Sequence, residues 1–101
     1  MTVAAFVPDL MDRSRLSAIV DVFVRSADAL DSVDADVVVV DLGRAGVLDA
    51  IAGLVARRVR VVAFGSHVDT ATLDAAREAG ADVLPRSRFF ADPAAALFGS
   101  S

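Results

Sequence analysis

Polar side chains follow four apolar runs of this 101-residue chain, at the points where the runs end. They are Asp9, Asp41, Ser66 and Arg86. If the runs are parallel strands, these residues share the carboxyl edge of the sheet, where open α/β sheets bind ligands. Two carboxylates can hold Mg²⁺, while a cation and a hydroxyl bind phosphoryl oxygens. The pattern therefore predicts phosphoryl acceptance at Asp41, with Asp9 and Asp41 as metal ligands and Ser66 and Arg86 as phosphate contacts. The alternative role of Asp41 is to cap the next helix or close a turn.

The element that must position Asp41 is the valine run immediately before it, Val37–Val40. Valine is stiff at χ1 and packs well on a pleated sheet. Because the run is apolar on both faces, it is typical of a parallel strand covered by helices on both sides. We therefore expect Val38 and Val39 to be buried at the centre of the sheet.

Strand and helix patterns alternate five times along the chain. The predicted strands are Val3–Val7, Val22–Val24, Val37–Val40, Val59–Phe64 and Ala81–Leu84. The predicted helices start at Asp9, at Ser26 or Asp28, near Val47, at Ser66 or Asp69, and at Asp92–Pro93, the last ending near Leu97. Alternation of this kind predicts a single α/β domain over residues 1–101. The expected architecture is a flavodoxin-like (βα)5 fold, with a parallel sheet of order 2-1-3-4-5 inside three α/β/α layers.

Composition excludes several classes of function. The formal net charge is −4 and there is no lysine, so a basic nucleic-acid footprint is absent. No apolar run reaches the roughly 18 residues of a membrane span, and the first residues do not resemble a signal peptide, so we expect a cytoplasmic protein. The absence of cysteine excludes disulfides and cysteine-based catalysis.

Two segments resemble the receiver domain of bacterial two-component response regulators. Asp36–Leu42 is similar to the third strand of that family, which ends in the phospho-accepting Asp followed by Leu. Arg77–Leu84 is similar to the segment that leads into the fifth strand. The resemblance covers essentially the whole chain. It implies a stand-alone signalling module of a phosphorelay, with Asp41 as phospho-acceptor, Mg²⁺ as cofactor and a histidine kinase or another signalling protein as partner.

The chain departs from the family at the site itself. Receivers place two adjacent acidic residues after the first strand, and this chain has Pro8-Asp9. Asp12 replaces the missing acid only if it faces the pocket. Ser66 stands one position later than the family's hydroxyl residue, and Arg86 is the nearest match to the family's lysine. These changes indicate a degenerate pseudo-receiver that binds Mg²⁺ weakly and signals through protein contacts.

Two Arg-Ser-Arg segments support an alternative function in anion binding. Arg13 and Arg15 belong to the first segment, and Arg86 and Arg88 to the second. Both follow proline-containing strand exits at the predicted ligand edge, so the alternative is a small-ligand or anion-binding flavodoxin-like domain. They are equally typical of solvated arginines that pair with the many aspartates.

The Ser66-His67-Val68-Asp69 segment does not predict a hydrolase. Residues this close in sequence rarely adopt the geometry of a catalytic triad, and no nucleophile elbow is present. We therefore do not expect an enzyme.

The C-terminal quarter is rich in phenylalanine. Because the last helix is expected to start only at Asp92, it leaves part of the fifth strand uncovered. This predicts a homodimer or a partner contact through an apolar surface there. The residues of that surface would be Phe89, Phe90, Leu97 and Phe98.

Overall fold

The computed structural model describes residues 1–99, in which strands and helices alternate from one end to the other. The strands are β1 (Val3–Phe6), β2 (Val22–Phe23), β3 (Val37–Asp41), β4 (Arg60–Gly65) and β5 (Asp82–Pro85). The helices are α1 (Leu10–Leu16), α2 (Val47–Ala56), α3 (Thr70–Glu78), α4 (Arg86–Ala91) and α5 (Pro93–Phe98). A 3-10 helix (Asp28–Ser32) connects β2 to β3.

The sheet has the predicted topology. Its order is β2-β1-β3-β4-β5, and every neighbouring pair is parallel. The central strand β3 pairs with β1 on one side and β4 on the other, so Val38 lies between Ala4 and Val61. Each crossover contains a helix, as parallel pairing requires. The flavodoxin-like fold class is therefore confirmed.

The four valines of β3 divide between two separate cores, one on each face of the sheet. Val38 and Val40 pack in the core that α2 and α3 complete. Val37 and Val39 pack in the other core, completed by α1, α4 and α5. All four are no more than 2% exposed. The two-faced apolar run thus gives the three-layer arrangement that the valines predict.

Aspartate side chains begin three of the helices. Asp9, Asp69 and Asp92 accept hydrogen bonds from the backbone N–H groups of Asp12, Thr72 and Ala95. Such bonds satisfy N–H groups that have no partner inside the helix. The predicted starts at Asp9 and Asp92 are confirmed, and of the two predicted for α3 the cap is Asp69. Among residues 1–99, no helix is long and apolar enough to cross a membrane.

The expectation that Phe89 and Phe90 lie uncovered in the C-terminal quarter is wrong. The chain turns into α4 immediately after β5, six residues before the predicted helix start at Asp92. Phe89 is 0% exposed and Phe90 7% exposed. Their ring centroids lie 5.0 Å from that of Phe64 in β4.

These aromatic contacts hold α4 on the sheet, because such ring pairs add to the free energy gained by burial. Leu97 is buried as well, which leaves only Phe98, 49% exposed, of the four residues assigned to a partner surface. The predicted apolar surface is therefore largely interior core.

Candidate functional site

Three elements bring acidic and basic side chains together at the carboxyl edge of the sheet. Asp41 is the last residue of β3, Asp9 caps α1 directly after β1, and Arg86 is the first residue of α4 after β5. In a parallel sheet these strand ends share one edge, which is the edge that the sequence assigned to the site.

The firmest contact at this edge joins Arg86 to Asp12. Nη2 of Arg86 donates a hydrogen bond to Oδ1 of Asp12. Asp12 is 3% exposed, and among residues 1–99 no other charged residue is buried. Asp12 lies in the first turn of α1 and faces Arg86, so its carboxylate is engaged by an ion pair and does not replace the missing acidic residue as a metal ligand. A buried carboxylate needs such a partner because its desolvation is otherwise costly.

The electrostatics of Arg86 show which carboxylates surround it. The hydrogen bond to Asp12 raises the pKa of Arg86 above its ordinary value, while burial acts in the opposite direction. The charges of Asp12, Asp41 and Asp9, in that order, raise it further. Three carboxylates therefore lie within electrostatic range of one guanidinium, which stays protonated at any pH at which the fold exists.

Of the two roles considered for Asp41, the structure shows the turn-closing one. Its Oδ1 accepts the N–H of Gly43 at 2.8 Å and closes the turn after β3. Its Oδ2 lies 3.6 Å from Nε of Arg44, and the side chain is 14% exposed. One oxygen is thus held by the backbone, and the other is bound by no hydrogen bond in the described chain.

The described carboxylates do not by themselves fit a resident divalent ion. No three acidic or histidine side chains among residues 1–99 are close enough together to hold a metal. Asp12 is neutralised by Arg86, which leaves only Asp9 and Asp41. Two carboxylates usually hold Mg²⁺ only together with waters and a bound phosphate. The weak magnesium site at Asp9 and Asp41 therefore stays a prediction.

Two predicted contact residues have other partners. Oγ of Ser66 accepts the N–H of Val68 at 3.4 Å, inside its own loop. The guanidinium of Arg13 lies 4.8 Å from the ring centroid of Phe23 in the edge strand β2. The structure shows neither of them in contact with Arg86 or Asp41.

The second Arg-Ser-Arg segment contributes to a cavity that sequence reasoning located only in part. The cavity has a volume of about 380 Å³. This cavity is called the anion cavity below. It is lined by Arg15, Arg86, Ser87, Phe90 and Ala91. Arg86 and Phe90 are four residues apart, so the unpredicted helix α4 places them on one face. That i, i+4 spacing is the sequence signal that could have located the cavity.

Comparison with solved structures identifies a receiver domain of the same shape. The beryllofluoride-activated DrrB receiver domain has 20% sequence identity and a TM-score of 0.67, covering 96% of this chain and 98% of that chain. No family model and no curated protein matches the sequence. At this identity the similarity shows the fold alone, and it confirms that the chain is receiver-like in architecture.

Proposed function

We propose that this chain is a receiver-like signalling module that acts through protein contacts and accepts a phosphoryl group on Asp41. The observation that supports this proposal most strongly is the placement of Asp9, Asp41 and Arg86 at strand ends on the carboxyl edge of the sheet, where Arg86 binds Asp12. The receiver fold of the DrrB neighbour supports the same function.

In the proposed reaction, Asp41 is the nucleophile and Arg86 stabilises the phosphoryl group. The hydrogen bond from Gly43 holds Oδ1 of Asp41, which leaves Oδ2 to attack the phosphorus of a phosphodonor. The new O–P bond forms as the bond from phosphorus to the donor breaks, and the donor leaves with that electron pair, as acetate in the case of acetyl phosphate. Arg86 stabilises negative charge on the phosphoryl oxygens, since charge-assisted hydrogen bonds are about twice as strong as neutral ones. No catalytic turnover is assigned, so the chain is proposed as a signalling module and not as an enzyme.

The proposed partner is a protein, either a histidine kinase or another signalling protein. Leu10 and Met11 directly follow Asp9 and are 75% and 78% exposed. Exposed apolar side chains at the start of α1, which begins at the carboxyl edge of the sheet, give such a partner a surface to contact. The proposed homodimer through the C-terminal quarter loses its main argument, because Phe89, Phe90 and Leu97 are core residues.

Chemical phosphorylation tests the acceptor directly. The protein is incubated with acetyl phosphate, with and without Mg²⁺, and its intact mass is measured. We expect a hydroxylamine-sensitive gain of one phosphoryl group that Asp41→Asn abolishes. The exposed Asp34 is the matched control, and Asp34→Asn should be phosphorylated normally. Equal phosphorylation of the Asp41→Asn protein, or none in the unmodified protein with Mg²⁺, would contradict the proposal.

A further inference from the structure

The anion cavity brings two guanidinium groups together, and among residues 1–99 only that of Arg86 is paired with a carboxylate. Arg15 and Arg86 both line it, and the hydroxyl residue Ser87 lies beside them. Among residues 1–99, the ion pairs within 4.0 Å join four aspartates to Arg44, Arg60, Arg77 and Arg86, and none involves Arg15.

One aromatic ring holds both guanidinium groups in place. Cζ of Arg15 lies 4.6 Å and Cζ of Arg86 lies 4.9 Å from the ring centroid of Phe90. Nη2 of Arg15 also donates to the carbonyl oxygen of Phe90 at 3.4 Å. Phe90 is itself fixed in the core, at 7% exposure. Stacking on a rigid ring lowers the entropy that two long side chains lose when they bind a ligand.

Most of the hydrogen-bond donors of these two arginines have no partner within the described chain. A guanidinium carries five N–H donors in a fixed planar fork. Arg15 uses one on the carbonyl of Phe90, and Arg86 uses one on Asp12. Planar forks of this kind match the oxygen atoms of phosphate and carboxylate groups in bidentate geometry.

We propose that the anion cavity binds a phosphate monoester, whose phosphate group bridges Arg15 and Arg86 and accepts a hydrogen bond from Ser87. Arg15 supplies a positive charge that no carboxylate among residues 1–99 pairs, and the N–H donors of Arg86 that Asp12 does not use bind further oxygen atoms of the phosphate. The volume of about 380 Å³ lies in the range of small-molecule sites, so there is room for an organic group next to the phosphate. Because Arg86 also contacts Asp12, the ligand shares one residue with the acidic cluster around Asp41. The site does not depend on phosphorylation of Asp41.

A titration followed by NMR tests the proposal. Inorganic phosphate and glycerol 3-phosphate are added separately at constant ionic strength, and the amide and arginine Nε–H signals are recorded. We expect saturable shifts at Arg15, Arg86 and Ser87. Arg15→Ala should weaken binding by about tenfold, the effect of losing one charge-assisted contact. Arg15→Lys should weaken it less, because a lysine keeps the charge and loses the planar fork.

Arg88→Ala is the matched control, because Arg88 is an exposed arginine of the same helix that does not line the cavity. Its affinity should stay within about twofold of the unmodified protein. Asp41→Asn removes a negative charge within electrostatic range of Arg86, so phosphate binding should be retained or become tighter while phosphorylation is lost, which separates this proposal from that of the phospho-acceptor. Circular dichroism of each variant checks that it is folded.

The relative affinity of the two probes identifies the source of the phosphate. Tighter binding of glycerol 3-phosphate supports the proposed monoester, and equal affinity for the two probes would show that the organic group makes no contact and would contradict that assignment. Shifts that do not saturate, or equal losses in Arg15→Ala and Arg88→Ala, would show general attraction to basic residues and overturn the proposal.

Discussion

At the scale of single residues, the Asp12–Arg86 pair links folding to the site. Removing one partner of a buried pair leaves the other charge uncompensated, which is costlier than the pair itself is favourable. Arg86 contacts Asp12 and lies over the ring of Phe90. It is also within electrostatic range of Asp9 and Asp41. A single side chain therefore stabilises α1 against α4 and supplies positive charge to the carboxyl edge.

Replacement of Arg86 should destabilise the protein more than its partial exposure indicates. Arg86→Met keeps the apolar stem and leaves Asp12, 3% exposed, without its cation. We expect a loss of about 1–3 kcal/mol in the free energy of unfolding, below the full value for a buried pair because the Arg86 side chain is 46% exposed. Urea denaturation measures the effect.

The control for this prediction is Arg88→Met, which should change stability by no more than about 0.5 kcal/mol. In the double variant Asp12→Asn with Arg86→Met, part of the loss should be recovered because no buried charge remains. Equal stability of Arg86→Met and Arg88→Met would mean that the pair contributes nothing.

The sequence located the acidic site through a topological rule. Asp9, Asp41 and Arg86 could be placed because each follows a predicted strand, and the carboxyl ends of parallel strands share an edge. The partner of Arg86 could not be predicted, because the choice of Asp12 depends on how α1 rotates about its axis and how α4 lies against it. Ser66 and Arg13 show the same limit, since their partners belong to local turns and to β2.

At the scale of elements, helix α4 could not be predicted from the pattern of residues within its own segment. Phe89 and Phe90 are adjacent, so they display no helical period, and Asp92-Pro93 is a stronger start signal than Pro85-Arg86. The helix is stabilised by contact with Phe64, which is more than twenty residues away in sequence. The strands and α2 were predictable because their apolar periods are visible within each segment.

The aromatic contacts of α4 predict how the stability of the protein changes when a phenylalanine is replaced by alanine. Phe89→Ala should lower the free energy of unfolding by about 3–5 kcal/mol, because it opens a cavity beside Phe64 in a 0% exposed position. Phe98→Ala, at a 49% exposed position, should cost less than about 1.5 kcal/mol. Thermal or urea unfolding of both variants provides the comparison. A Phe89→Ala protein of unchanged stability but altered sedimentation would instead restore the partner-surface hypothesis.

Replacing Gly80 by alanine and replacing Gly53 by alanine should change the stability of the protein in opposite directions. Gly80 ends α3 with φ of +105°, and a Cβ there would lie 2.8 Å from Cγ1 of Val55. Gly80→Ala should therefore cost about 1–3 kcal/mol. Gly53 lies in α2, where a Cβ would meet no atom of a neighbouring residue within 4 Å, so Gly53→Ala should stabilise the protein by about 0.5–1 kcal/mol. Differential scanning calorimetry gives both signs, and a stabilising Gly80→Ala would contradict the close contact.

At the scale of the whole molecule, stability should be distributed unevenly across the sheet. β3 has a ladder partner on each side and valines buried in both cores. β2 has two residues and one neighbour, and Val22 is 47% exposed. Segments with few buried contacts have the lowest free energy of local opening. The edge strand β2 should therefore open without disturbing the centre.

Native-state hydrogen exchange tests this distribution. The amides of Val38–Val40 should exchange only through global unfolding, with a strong dependence on urea concentration. The amides of Asp21 and Val24, which pair the edge strand with β1, should exchange through smaller openings that urea hardly affects. If both groups show the same free energy of opening, the molecule behaves as one cooperative unit and the prediction is wrong.

The two edges of the sheet have a consequence for self-assembly. One edge is a strand of two residues, and the other runs from Asp82 to Pro85, between a carboxylate and a residue without an N–H group. Short strands, charges and proline all oppose the addition of a strand from another molecule. The valine run, the segment with the greatest tendency to form fibrils, lies two strands from each edge. Fibril growth from the folded state is therefore blocked, and aggregation of this protein should follow the rate of global unfolding.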